Sequence, residues 1–154
     1  MPRFWHEWKG VAVLLIDVNV LVHAFRRDVP NHQRYAKWLQ ELADSDTAFA
    51  VADLVLSGFL RVVTHPTVFT PPSRVDRALA FVEQIRNRPH VVTVAPGPRH
   101  WDIFATLCRQ VKATGNLIPG AFLAALAIEA GCEWITTDRG FARFPGLRWR
   151  HPLD

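Results

Sequence analysis

The stretch LLIDVNVLVHAF, residues 14–25, carries one carboxylate, Asp17, inside an otherwise apolar run. Residues 11–16, VAVLLI, are short, β-branched and continuously apolar, the pattern of a strand buried on both faces. Asp17 ends that strand, and Asn19 reads as the cap of a helix running to about Arg27. A charge at the end of a buried strand is costly to desolvate, so a partner that shares it is expected. The expectation is a cation.

Outward from this stretch, strands and helices alternate. Asp28-Val29-Pro30 breaks the first helix, and Asn31 starts a second whose Tyr35, Trp38, Leu39 and Leu42 share one face. TAFAV (47–51) reads as a strand, with Asp53 as cap of the helix that follows. Ser73 and Asp76 resemble a capping box ahead of a further helix. VVTVA (91–95) is a third strand, followed by a helix to about Val111 and a turn at Gly115-Asn116. Pro119 suits the first turn of the next helix, and Gly131 its C-cap. EWITT (133–137) ends at Asp138, then a short helical turn, RGFARF, leads to a last edge strand, LRWRH.

Such alternation predicts an α/β fold: a mostly parallel sheet of about five strands with helices on both faces. Ligands gather at the carboxyl ends of strands in such sheets, which selects Asp17 and Asp138 together. A lone Asp after a strand is usually a helix cap; two in one crevice repel and call for a shared ion. Magnesium or manganese takes oxygen ligands, often only one or two protein carboxylates. Its bound water is a nucleophile for in-line attack on a phosphodiester. Asp17 and Asp138 are therefore the candidate metal ligands and catalytic residues.

Composition narrows the alternatives. The chain has 154 residues, 49% hydrophobic and 21% charged, which fits one globular domain over residues 11–154. Residues 1–10 read as an added leader or a frayed start. The net charge of +4 is a mild preference for polyanions such as RNA. No apolar run reaches the roughly 18 residues of a membrane span, and two cysteines without CxxC spacing fit a reducing cytoplasm. The seven His show no HExxH spacing, and neither a GxSxG elbow nor a phosphate-binding GxxxxGK[ST] loop is present. A haloacid-dehalogenase-type phosphatase would place an Asp where this chain has Asn19.

LLIDVNVLVHAF, FLRVVTHP (59–66), GNLIPGAFLAALAIEAG (115–131) and ITTDRGFARFPGL (135–147), in that order, resemble a PIN-domain ribonuclease. More closely, they resemble a VapC toxin of a VapBC toxin–antitoxin pair. The resemblance implies a three-layer α/β/α fold and a magnesium- or manganese-dependent endoribonuclease acting on transfer or ribosomal RNA. It also implies a VapB-type antitoxin partner and a toxin homodimer. The family's first Asp maps onto Asp17, the polar residue two further on onto Asn19, and the acid closing the last buried strand onto Asp138. Thr137 and Asn19 are expected to shape the site, and Arg139, with Arg61 second, to contact RNA.

Three departures stand out. A family Glu in the helix after the second strand has no counterpart near Gly58. The usual D-A-x-L-A-A opening reads Pro119-Gly120-Ala121, so a metal-ligating Asp is replaced by Gly120. In TTDRGF, Gly140 stands where relatives usually carry a second acid. Glycine costs roughly 1 kcal/mol against alanine inside a helix, and an acid near a helix N-terminus would be favoured. The two glycines are therefore expected to disarm the site. The alternative function is a catalytically silent PIN domain that binds antitoxin or RNA.

Overall fold

A computed structural model of the chain describes residues 13–154; the reading of residues 1–10 as a leader, and Val11 and Ala12 of the first strand, lie outside them. The described elements are β1 (Leu14–Ile16), α1 (Val18–Phe25), α2 (His32–Asp44), β2 (Phe49–Val51), α3 (Asp53–Val63), α4 (Val75–Arg86) and β3 (Val91–Thr93). They continue with α5 (His100–Val111), α6 (Leu117–Ala130), β4 (Glu133–Ile135), a 3-10 helix (Arg139–Arg143) and β5 (Trp149–Arg150).

The five strands form one sheet in the order β3-β2-β1-β4-β5, and every pairing is parallel. Central β1 is flanked on both sides, and its Leu15 and Ile16 are fully buried. The chain first steps outward from β1 through β2 to β3, then crosses back to β4 and β5. Because parallel crossovers are right-handed, reversing direction moves the covering helices to the opposite face. Helices α1 to α4 accordingly pack on one another, and α5 packs on α6 as a separate layer. α6 approaches the sheet through fully buried Ala121, Ala124, Ala125 and Ala127, small residues that permit close packing.

The reversal falls between β1 and β4, and there the Asp17 amide donates to the Ile135 carbonyl at 2.9 Å. Strand order thus opens a crevice between the ends of these two strands, where Asp17 and Asp138 leave the sheet.

Three caps differ from expectation. α1 is capped by Asp17 itself, whose carboxylate accepts from the Val18 amide; Asn19 lies inside the helix. Asp53 is the first residue of α3, after Ala52, and makes no cap bond, so it acts through the helix dipole. Ser73 is not a cap for α4, which starts after Arg74; its hydroxyl instead accepts from Arg26 at 3.0 Å. As expected, Gly131 closes α6 in the left-handed region at φ 70° and Gly115 turns at φ 54°, whereas β4 stops at Ile135 and β5 spans only Trp149–Arg150.

Candidate active site

Asp17 is 5% exposed, and each of its oxygens is engaged. Oδ1 accepts from the Val18 amide at 2.7 Å. Oδ2 accepts from the Thr136 hydroxyl at 2.7 Å and from the Asn19 amide group at 3.1 Å. Burial pushes the Asp17 carboxyl up to about 6; the three hydrogen bonds oppose that rise, and the charge of Asp138 adds to it. A carboxylate held this way is oriented firmly but is reluctant to ionise.

Thr136 is the hub between the two strand ends. Its fully buried hydroxyl also accepts from the Asp138 amide at 3.0 Å and from Asn19 Nδ2 at 3.2 Å. Asn19 closes the loop, since its Oδ1 accepts from the Thr137 amide at 3.1 Å. Thr137 thus enters the network through its backbone, while the neighbouring Thr136 supplies the side chain. β4 ends at Ile135, and the available signal was the Thr-x-Asp spacing, in which a hydroxyl accepts from the amide two residues on.

Asp138 caps the 3-10 helix, its Oδ1 accepting from the Gly140 amide at 2.8 Å. Asp17, Asp138, Gly120 and Gly140 all line one cavity of about 220 Å³, walled further by Leu123, Phe141 and Phe144. The two carboxylates and the two glycines singled out in the sequence therefore converge. Arg143 also lines this cavity, whereas Arg139 and Arg61 do not. Arg139 is instead turned to Asp154, with both guanidinium ends paired at 3.1 and 3.0 Å.

The three glycine sites differ in room. A Cβ on Gly58 would lie 3.1 Å from Val18 Cγ2, so Gly58 lets α3 press against α1 beside Asp17. On Gly120 a Cβ would make ordinary contacts at 3.6 to 3.9 Å with Phe144 and Phe141. On Gly140 it would stand 2.9 Å from Asp138 Oδ1 and 3.2 Å from Arg143 Nη2, wedged between them. An acid is thus accommodated at 120 and requires its neighbours to move at 140.

The PIN domain family model matches residues 14–147. Ribonuclease VapC43 of Mycobacterium tuberculosis is 46% identical over 142 residues, which is 92% of this chain and 97% of that protein. The chain is a PIN domain of the VapC ribonuclease family. Ribonuclease VapC25 of the same organism is 43% identical over 140 residues, 91% of this chain and 99% of the relative. Among solved structures, VapBC-1 from nontypeable Haemophilus influenzae aligns with a TM-score of 0.68 at 11% identity, over 92% of this PIN domain and 99% of that chain. Mycobacterium tuberculosis VapC20, described as a sarcin-ricin loop cleaving toxin, aligns with a TM-score of 0.61 at 13% identity, over 88% of this PIN domain and 98% of that chain.

Family membership raises the question of a metal, and the donor set answers it. Among the described residues, no group of three or more His, Cys, Asp or Glu is placed to hold an ion. The cavity offers two carboxylates, and both oxygens of Asp17 already serve protein donors. Magnesium is often held by one or two carboxylates with water completing its octahedron, but of the two here only Asp138 keeps an oxygen clear of protein donors among the described residues. The residues present do not make a site that would hold such an ion tightly.

Proposed function

We propose that this chain is a VapC-type toxin whose magnesium- or manganese-dependent endoribonuclease centre is disarmed by Gly120 and Gly140. The observation that carries this reading is that both glycines line the same cavity as Asp17 and Asp138. Two acids in a cavity of four acid positions leave a cation short of oxygen partners. What remains of the machinery is its scaffold: Thr136 and Asn19 hold Asp17 in orientation, and exposed Asp138 lines the same cavity.

The substrate class we assign is transfer or ribosomal RNA. The partner is a VapB-type antitoxin, consistent with the VapBC complexes whose fold this chain shares, and the toxin pairs as a homodimer. Among the described residues no helix is long and apolar enough to cross a membrane, and the proposed location is the cytoplasm.

The test is a cleavage assay on total transfer and ribosomal RNA with excess manganese or magnesium, comparing this chain with Gly120→Asp/Gly140→Asp. Losing metal-supporting groups costs about 10–100-fold in characterised sites, so the doubly restored protein should cleave at least about tenfold faster. EDTA should abolish that gain. Equal rates for the two proteins would overturn the reading.

A further inference from the structure

Among the described residues Arg143 is the one basic side chain lining the cavity, and nothing in the metal chemistry uses it. Its position is fixed at the root, because Nε donates to the Gly140 carbonyl at 2.8 Å. That bond holds the guanidinium beside the cavity and leaves its two terminal nitrogens without a protein hydrogen bond among the described residues. Arg139, four residues earlier, is committed to Asp154 at both ends. The two arginines of the 3-10 helix therefore have opposite states.

The reason Arg143 is free lies at residue 140. A Cβ there would sit 3.2 Å from Arg143 Nη2, so a carboxylate at this position would engage the guanidinium at once. The carboxylates that remain do not do so: no ion pair joins Arg143 to Asp17 or Asp138 among the described residues. Asp17 spends its oxygens on Val18, Thr136 and Asn19, and Asp138 Oδ1 faces the Gly140 amide. Asp138 is exposed, so water and salt screen its repulsion of an incoming anion.

We infer that Arg143 makes this cavity a phosphodiester-binding site for single-stranded RNA that needs no divalent ion, available because Gly140 carries no carboxylate. An arginine fork matches two phosphate oxygens in one plane, which a lysine cannot do. Half-buried Leu117 and Leu123 on the cavity wall offer apolar surface to the attached nucleoside, over a floor of buried Phe141 and Phe144. The inference rests on RNA being the substrate class proposed above, but not on cleavage: removing two acids weakens an ion site and, at residue 140, releases an anion site.

The experiment is fluorescence anisotropy with a short labelled single-stranded RNA in EDTA, for the unaltered chain, Arg143→Ala, Arg139→Ala and Gly140→Asp. Arg143→Ala should weaken binding about tenfold and lower the slope of log affinity against log salt by about one. Gly140→Asp should weaken binding similarly while leaving Arg143 in place, and Arg139→Ala should change it by less than about twofold. Unchanged binding by Arg143→Ala, an equal loss in Arg139→Ala, or equally good competition by polyglutamate would overturn the inference. The double variant Gly120→Asp/Gly140→Asp separates the two readings, since it raises manganese-dependent cleavage under the proposed function and lowers binding in EDTA under this one.

Discussion

The Thr136 hydroxyl lies 2.7 Å from Asp17 Oδ2 and joins residues 119 positions apart in the chain. It donates to Asp17 while accepting from the Asp138 amide at 3.0 Å, so one oxygen couples both strand ends of the crevice. Thr136→Val keeps the shape and removes the coupling. Asp17 then loses a donor and the Asp138 amide an acceptor, a cost of about 2 kcal/mol for buried groups left unpaired. The melting temperature should fall by roughly 4–8 °C. Thr136→Ser, which keeps the hydroxyl, should lose less. Thermal melts in which Val matches the unaltered chain, or Ser is as damaging as Val, would remove Thr136 from this role.

Burial of Asp17 sets a pH dependence. Its carboxyl is lifted from 3.8 to about 6, so the folded chain keeps this proton to higher pH than the unfolded chain does. The resulting stabilisation is complete below about pH 3.8 and is lost as pH rises through about 6. A shift of about two units corresponds to about 3 kcal/mol. Asp28, Asp44, Asp76 and Asp154 are shifted downward, so their contributions change below the ordinary carboxylate range. His23, lowered by burial, gives an opposite slope nearer neutrality. Chemical denaturation between pH 4 and 7 should show the chain losing about 3 kcal/mol relative to Asp17→Asn, a comparison that cancels His23. Parallel curves would mean another group controls that window.

The glycines make a paired expectation for stability. Gly120 is the fourth residue of α6, and a Cβ there meets only ordinary contacts. Gly120→Ala should therefore gain about 0.5–1 kcal/mol from helix propensity and reduced unfolded-state freedom, or roughly 1–4 °C. Gly140→Ala places a methyl 2.9 Å from Asp138 Oδ1 and must push that carboxylate off the Gly140 amide, so no gain is expected. Differential scanning calorimetry of the two variants decides it; an equal rise in both would show that the crowding at residue 140 costs nothing.

The sheet and its crevice were readable because their signals are additive. Apolar runs of β1, β2 and β4, each closed by a helix signal, force parallel pairing, and parallel pairing puts Asp17 and Asp138 on one rim. Side-chain direction was less readable, since it depends on local geometry that spacing underdetermines. Arg139 was the expected RNA contact, yet Arg143 lines the cavity. The turn after Asp138 is a 3-10 helix, whose three-residue repeat stacks Arg143 over Gly140; an α-helical repeat would have stacked it over Arg139. Asn19 was read as a cap because Asn favours that role. Asp17 took the cap, since its oxygen reaches the Val18 amide at 2.7 Å, which freed Asn19 to bridge to β4.

That bridge makes Asn19→Asp the sharpest probe of the site. Asn19 Oδ1 accepts from the Thr137 amide at 3.1 Å, while Nδ2 donates to Asp17 Oδ2 at 3.1 Å. In Asn19→Asp the first bond survives, but an oxygen replaces the donor facing Asp17. Two carboxylate oxygens at that separation cannot both be ionised, and the pair holds one proton between them. At about pH 5, where Asp17 is largely protonated, the shared proton costs little. At pH 7 the proton must be retained about three units above the ordinary aspartate value of 3.8, which costs about 4 kcal/mol. The variant should therefore lose markedly more stability at pH 7 than at pH 5 in urea titrations. Equal losses at both values would mean that Asn19 acts only through packing, and that the carboxylate at residue 17 does not feel residue 19.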